Sequence, residues 1–102
     1  MNDKNIVRIK ILGAEYMLKT DAEEEYVKQI GEAINTRLAA ISLKNQSLPA
    51  LKVAVLGLVE TVDELLKMKQ QLNEMESELG DTASVLIQRI EEQLSRNYSI
   101  VE

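Results

Sequence analysis

The stretch that decides the fold is RIKILGAEYMLKTDAEEEYV, residues 8–27. Before Gly13 the chain alternates, with Arg8 and Lys10 on one face. The other face carries the apolar side chains Val7, Ile9 and Ile11. A period of two indicates a half-buried strand, and Gly13 supplies the backbone freedom for a turn. Because the segment AEYMLKT alternates again after the glycine, the pattern predicts a β-hairpin over residues 6–20.

An acidic helix start follows the hairpin. Thr20 with Glu23, or Asp21 with Glu24, has the spacing of a capping box, and acidic side chains favour the first turn of a helix. We therefore interpret the acidic run as a helix start rather than a metal site. Apolar residues then recur every three or four positions: Val27, Ile30, Ile34, Leu38 and Ile41. This stripe predicts a helix over residues 22–43 and a head domain over residues 1–47.

A second, much longer apolar pattern occupies residues 48–97, with Pro49 tolerated in the first turn. Its main apolar positions are Leu51, Val55, Leu58, Val62, Leu65, Met68, Leu72, Met75, Leu79, Ala83, Leu86, Ile90 and Leu94. The first half is apolar almost all round, which is typical of a helix that packs on the head and on a partner. The second half is a narrow stripe among charged residues, which is typical of a coiled coil. The chain is thus predicted to be α+β, with a small head of β-hairpin and helix followed by a long C-terminal coiled-coil helix.

Gly80 is the weak point of this long helix. Glycine costs about 1 kcal/mol in a helix interior, and Asp81 or Thr82 could cap a separate third helix. The apolar pattern continues in phase across Gly80, which favours one helix, bent at this point. The last residues, SRNYSIVE, are predicted to fray.

The length of the second helix indicates self-association. A helix over residues 48–95 would be roughly 70 Å long, whereas a compact domain of this size has a radius of gyration of about 13 Å. The head can cover only about half of such a helix. The apolar positions from Met68 to Leu94 then have no partner within their own chain, so we expect a homodimer or homotetramer.

The amino-acid composition disfavours several classes of function. The 102-residue chain has no Cys and no His, which removes thiol chemistry, the commonest general base and the commonest transition-metal ligand. Its glycines are scattered, so no phosphate-binding loop is present. Residues 48–102 hold five Lys or Arg against ten Asp or Glu, which disfavours nucleic acid. We expect no catalytic residue, cofactor, metal, small-molecule substrate or membrane partner, and a cytoplasmic protein without a signal peptide.

Two other classes of protein share some of these features. Small helical chorismate mutases also use long intertwined helices, but they need converging cationic residues. This chain has only four Arg, well separated, and it begins with a hairpin. An unrelated coiled-coil adaptor or a chaperone-like oligomer of the prefoldin type is the alternative to the assignment below. Prefoldins place their hairpin between two long helices, whereas here the hairpin precedes both.

Two segments together resemble the ZapA family, bacterial cell division proteins that associate with the FtsZ ring. They are VRIKILGAEYMLKTDAEEEYV at residues 7–27 and LKVAVLGLVETVDELLKMK at residues 51–69, within a likeness that covers about residues 6–75. The resemblance implies a hairpin-and-helix head, dimers that pair into tetramers through long helices, and no catalysis. It also implies FtsZ as partner, cross-linked and bundled at midcell.

The resemblance also implies residue roles. The dimer contacts would be Leu51, Val55, Leu58, Val62 and Leu65, and the coiled coil would extend through Leu72, Met75, Leu79, Leu86 and Ile90. We expect the FtsZ contact on the polar face of the hairpin, at Arg8, Lys10, Glu15 and Lys19. Two features depart from the family. Ala14 stands where a charged residue often follows the turn glycine, and Gly57 and Glu60 stand where Ala and Asn are common.

Overall fold

The computed structural model describes residues 5–79 and 82–101, with side chains throughout except at 76–79, 82–84, 86 and 95–97. The elements are β1 (Asn5–Ile11), β2 (Ala14–Thr20), α1 (Glu24–Lys44), α2 (Ala50–Leu79), α3 (Thr82–Asn97) and β3 (Tyr98–Ile100). The predicted α+β class, with a hairpin head and a long helix, is confirmed. The chain divides into two compact units, of which the first holds residues up to 57 and from 97 onward, and the second residues 58–96.

The hairpin closes through a two-residue turn. Ile11 pairs with Ala14, so only Leu12 and Gly13 connect the strands. Both have positive φ, 51° and 82°, as expected for the type I′ turn that matches the twist of an antiparallel pair. The turn therefore consists of Leu12 and Gly13 alone, and Ala14 is the first residue of β2.

The inner face of the hairpin packs on α1. Val7 and Ile9 of β1 are buried against Val27 of α1, and Ile11 and Leu18 border this cluster. Ile11 also packs against a second cluster, formed by Leu38, Ile41 and Val53 from α1 and α2. The alternation of β1 and the three-to-four spacing of α1 thus meet in one head core, which covers the apolar face of the hairpin.

A third strand covers the outer edge of β2. Tyr98–Ile100 pairs antiparallel with residues 18–20, and the Val101 N–H donates to the Met17 carbonyl at 3.0 Å. Tyr98 is half-buried against the cluster around Val27. The prediction that the C-terminal residues fray was therefore wrong for Tyr98–Ile100. The alternation of Tyr98 and Ile100 around Ser99 is a strand signal too short to be decisive in the sequence.

The helix starts also differ from prediction. The N-cap of α1 is Glu23, without a side-chain cap, and neither predicted capping box forms. The buried Thr20 hydroxyl instead accepts the Ala22 N–H at 3.0 Å, which ends the strand and turns the chain. Helix α2 begins at Ala50, after Pro49, whose carbonyl accepts the Val53 N–H.

Gly57 permits the closest approach between α1 and α2. A Cβ at position 57 would collide with the Leu38 side chain and touch Ile41 at 3.8 Å. Leu38 and Ile41 are both buried in the second cluster. Of the small residues Ala50, Ala54 and Gly57 on this part of α2, the glycine is thus required by the observed packing.

The second unit holds two helices where one was predicted. Lys69 Nζ of α2 lies 3.4 Å from Glu91 Oε1 of α3, although 22 residues separate them. In a single straight helix that separation would be about 33 Å. The expectation of one continuous helix across residues 48–97 is corrected accordingly, because α3 returns alongside α2. The junction at Gly80 and Asp81 lies outside the described residues.

The first prediction concerns the stability of the Leu12–Gly13 turn. Replacing Leu12 with Asn should raise the free energy of unfolding by about 0.5–1 kcal/mol, because Asn tolerates positive φ better than Leu. Gly13→Ala should lower it by about 1–2 kcal/mol for the same reason. Urea unfolding at fixed protein concentration measures both. Ala14→Asn, one residue inside β2, is the control and should not stabilise. A Leu12→Asn variant no more stable than the parent would contradict the turn assignment.

The second prediction compares the effects on stability of replacing two helical glycines. Gly31→Ala should stabilise the protein by about 0.5–1 kcal/mol, because the new Cβ meets Ile9 at an ordinary 3.6 Å and alanine is the better helix former. Gly57→Ala should gain no such stability and should lose about 1 kcal/mol or more, because the buried Leu38 must move. Thermal unfolding of the pair separates the two effects, and equal shifts would argue against the close approach at Gly57.

Candidate interaction surfaces

The outer face of the hairpin gathers all four predicted contact residues. Arg8, Lys10, Glu15 and Lys19 are all exposed. The register places Lys10 opposite Glu15, Arg8 opposite Met17, and Ile6 opposite Lys19. This face follows from the sequence alternation, because burying Val7 and Ile9 forces the residues between them outward.

This outer face combines charge with apolar area. It carries three cationic side chains and one carboxylate in a chain whose net charge is −5. Ile6 and Met17, 56% and 37% exposed, lie among the charges. A cationic surface with accessible apolar groups can hold an acidic protein segment, because the charges orient it and the apolar groups add contact area.

A shallow cleft lies beside this face, between β1 and α1. It has a volume of about 230 Å³, with Arg8, Ile9 and Lys10 on the strand side. Lys28, Gly31, Glu32 and Asn35 form the helix side. Asn35 Nδ2 donates to the Lys10 carbonyl at 2.7 Å and fixes one end of the cleft. Lys28 Nζ lies 3.6 Å from Glu24, with both side chains more than half exposed.

The helix-side residues of this cleft were not found from the sequence. Lys28 and Asn35 occupy polar positions of an ordinary amphipathic helix, and nothing in their spacing marks them. They join Arg8 and Lys10 only because Val27 and Gly31 pack α1 against β1.

The long helices present a second surface, which we call the apolar stripe. Its described members are exposed: Leu51 75%, Val55 49%, Leu58 65%, Val62 47%, Leu65 47%, Leu72 38%, Met75 55% and Ile90 57%. The other two predicted interface residues, Leu79 and Leu86, have side chains outside the described set. Leu51 and Val55 belong to the first unit, and the others belong to the second.

The second unit lacks an apolar core among the residues that the structure describes. Not one described side chain from Leu58 to Leu94 is buried. Leu66, Met68 and Leu94 are also about half exposed or more. The head, by contrast, buries Val7, Val27 and Val53 almost completely. Many large exposed apolar side chains without a core among the described residues are typical of an interaction surface.

Two ion pairs of this unit lie at its surface. Lys67 pairs with Asp63 one turn away at 3.0 Å, and Lys69 pairs with Glu91 at 3.4 Å. All four side chains are at least 40% exposed, so each pair contributes at most about 1 kcal/mol.

Other kinds of site were sought in the described part of the chain. It contains no group of three or more His, Cys, Asp or Glu residues that could hold a metal ion. None of the helices within residues 5–79 and 82–101 is long and apolar enough to cross a membrane.

Comparison with known proteins gives one consistent family. The family model described as Cell division protein ZapA matches residues 7–96. Cell division protein ZapA of Shouchella clausii (strain KSM-K16) is 30% identical over 70 residues, 69% of this chain and 90% of the relative. Its counterpart in Bacillus mycoides (strain KBAB4) is 22% identical over 69 residues, 68% and 78% of the two chains. That in Bacillus anthracis is 22% identical over 68 residues, 67% and 76%. No solved structure matches this chain.

The third prediction tests whether the apolar stripe is a self-association surface. Leu72→Glu should lower the molar mass measured by light scattering, because a glutamate buried between copies costs about 2 kcal/mol or more. Gln71→Glu adds the same charge one position away and should leave the mass unchanged. Circular dichroism and hydrogen exchange of the β1 and β2 amides should show that the head stays folded in both. An unchanged mass for Leu72→Glu would remove the basis for a self-association surface here.

Proposed function

Because the chain belongs to the ZapA family of cell division proteins, we propose that it binds FtsZ and bundles FtsZ protofilaments as a homo-oligomer. In this proposal it acts in the cytoplasm at midcell and promotes assembly and stability of the division ring. It works by binding alone, and no catalytic residue, metal or cofactor takes part.

One observation supports the proposal that the protein is a homo-oligomer. The second unit leaves the apolar side chains of its part of the stripe exposed, with no buried side chain among its described residues. A second copy of the chain supplies an equivalent apolar surface, so pairing of stripes covers both at once. Symmetric self-complementary contacts of this kind are the commonest route to dimers, and dimers can pair again into tetramers.

The interface that we propose consists of the apolar stripe with the two positions outside the described side chains. Its residues are Leu51, Val55, Leu58, Val62, Leu65, Leu72, Met75, Leu79, Leu86 and Ile90. The charged residues that flank it, such as Lys67 and Asp63, stay in solvent and set the alignment of the copies rather than their affinity.

The head supplies the proposed FtsZ contact, on Arg8, Lys10, Glu15 and Lys19. These side chains are exposed on the face of the hairpin opposite the one that packs on α1. A single contact of this size is weak. An oligomer that carries several heads raises the effective concentration at each further contact, which turns weak binding into strong cross-linking.

The same exposed stripe would suit a chaperone-like oligomer or an unrelated coiled-coil adaptor, since apolar surface can hold apolar client segments. The two functions differ in what the head does. An FtsZ cross-linker needs the outer face of the hairpin, whereas a chaperone that binds clients through the stripe does not.

Sedimentation with purified FtsZ is the test and the fourth prediction. The protein should pellet with FtsZ polymers in the presence of GTP, and electron microscopy should show bundles. The double variant Arg8→Glu and Lys10→Glu should lose most of the pelleting, because two cations of the contact become anions. Lys44→Glu with Lys52→Glu makes the same change in net charge on exposed residues elsewhere and should pellet like the parent.

The stripe variant separates binding from bundling in the same assay. Leu72→Glu should pellet more weakly and form no bundles, because its heads remain but are no longer linked. If the parent stays in the supernatant with GTP-FtsZ, the cross-linker proposal fails, and suppression of client aggregation by the parent becomes the next measurement.

A further inference from the structure

We propose that the free edge of β1 is a docking site for an extended acidic peptide, which adds to the sheet as a fourth strand in the cleft beside α1. This inference rests on the proposed function, because it assigns the way in which the head holds its partner. It commits to one occupant, an acidic segment of another protein in extended conformation.

The hydrogen-bond pattern shows which backbone groups are free. The Met17 carbonyl accepts from Val101 N–H, so the backbone groups of Met17 point toward β3. Arg8 is the cross-strand partner of Met17. Because the backbone groups of Met17 point toward β3, Arg8 and Met17 form a non-hydrogen-bonded pair of the antiparallel β1–β2 ladder. The N–H and C=O of Arg8 therefore point away from β2.

The same parity applies to Ile6 and Lys10, two positions away on either side. The Lys10 carbonyl meets Asn35 of α1 at 2.7 Å, which agrees with an outward orientation. Within the described chain no hydrogen-bond partner is found for the backbone groups of Arg8. Since β1 is the edge strand in the order β1-β2-β3, its outer side is open to another strand at Arg8, up to the Lys10 carbonyl that Asn35 already binds.

The cleft provides room along that edge. It has a volume of about 230 Å³ and is lined by Arg8 and Lys10 of β1 and by Lys28 and Gly31 of α1. Gly31 is buried against Ile9 and forms the floor of the cleft on the helix side. Adding a strand to a free edge beside a helix is a common mode of peptide recognition, in which the main chain supplies affinity and side chains supply selectivity.

The charges in the cleft select an acidic occupant. Three cations, Arg8, Lys10 and Lys28, line it, against one carboxylate, Glu32. Glu24 lies 3.6 Å from Lys28 Nζ on the exposed side and is a second carboxylate nearby. The local balance remains positive in a chain of net charge −5, so acidic side chains of a peptide would be attracted to this edge.

The same charges disfavour a second copy as the occupant. If two β1 edges paired antiparallel around Arg8, the two Arg8 side chains would face each other, with Lys10 nearby. Like charges directly opposite each other destabilise a strand pair, and charged side chains on an edge strand are a known protection against self-pairing.

The fifth prediction tests this edge with a defined probe, a short fluorescent peptide of alternating Val and Glu. Its dissociation constant for the full-length protein is measured by anisotropy. The peptide should bind, and added salt should weaken it. A peptide with Lys in place of each Glu should bind at least about tenfold more weakly, because charge complementarity is reversed. A Val–Glu peptide with N-methyl groups along one edge should also lose about tenfold, because it cannot complete the ladder.

Two substitutions of Arg8 provide the matched pair in the protein. Arg8→Gln removes the charge alone. Arg8→Pro removes the charge and the outward N–H, but leaves the β1–β2 ladder intact, since proline is tolerated at such edge positions. The Val–Glu peptide should therefore bind Arg8→Pro about tenfold more weakly than Arg8→Gln. Thermal unfolding checks that both variants fold, and the N-methylated peptide gives the same information without altering the protein.

The outcomes distinguish this inference from the function on which it rests. Equal binding of the methylated and unmethylated peptides, or of the Lys and Glu peptides, overturns the docking site. Equal FtsZ pelleting by Arg8→Pro and Arg8→Gln also overturns it, while leaving FtsZ bundling in place. If the parent does not pellet with FtsZ but the peptide results hold, the edge stands as a docking site and FtsZ is excluded as its partner.

Discussion

The packing of Val27 on Val7 and Ile9 is the contact on which the head depends. All three side chains are almost completely buried, and each stabilises the fold by roughly 1.5–3 kcal/mol relative to exposure. This contact fixes the face of β1 that turns inward, and a one-residue slip would invert every side chain. It thereby places Arg8 and Lys10 outward and brings α1 beside the β1 edge, which creates both the outer face and the cleft.

The two units differ in how they treat apolar side chains: the head buries them, and the second unit exposes them. The head buries its apolar side chains within one chain, through α1, the start of α2 and strand β3. The second unit exposes apolar side chains along α2 and α3, and its described residues include no core. An element of this kind gains free energy only when something covers it. The division between a closed head and an open helical unit is the structural reason to propose a self-associating protein with several heads.

Charge follows the same division. The first 47 residues are balanced, whereas the remainder carries the excess of carboxylates. Four cationic side chains of the head, Arg8, Lys10, Lys19 and Lys28, lie on the outer face or in the cleft, together with Glu15 and Glu32. In a protein that is acidic as a whole, this arrangement is the electrostatic reason to propose an acidic partner at the head.

The sequence by itself determined the elements whose signals are local. Period two in β1 and β2, Gly13 at the turn, and the three-to-four spacing of α1 and α2 each report a repeating geometry, so the hairpin head and the α+β class follow from them. Tertiary structure decided the rest. The pairing of Tyr98–Ile100 with β2, the return of α3 to Lys69, and the meeting of Lys28 and Asn35 with β1 join residues distant in the chain. Such contacts depend on which surfaces bury one another, and no local periodicity encodes that choice.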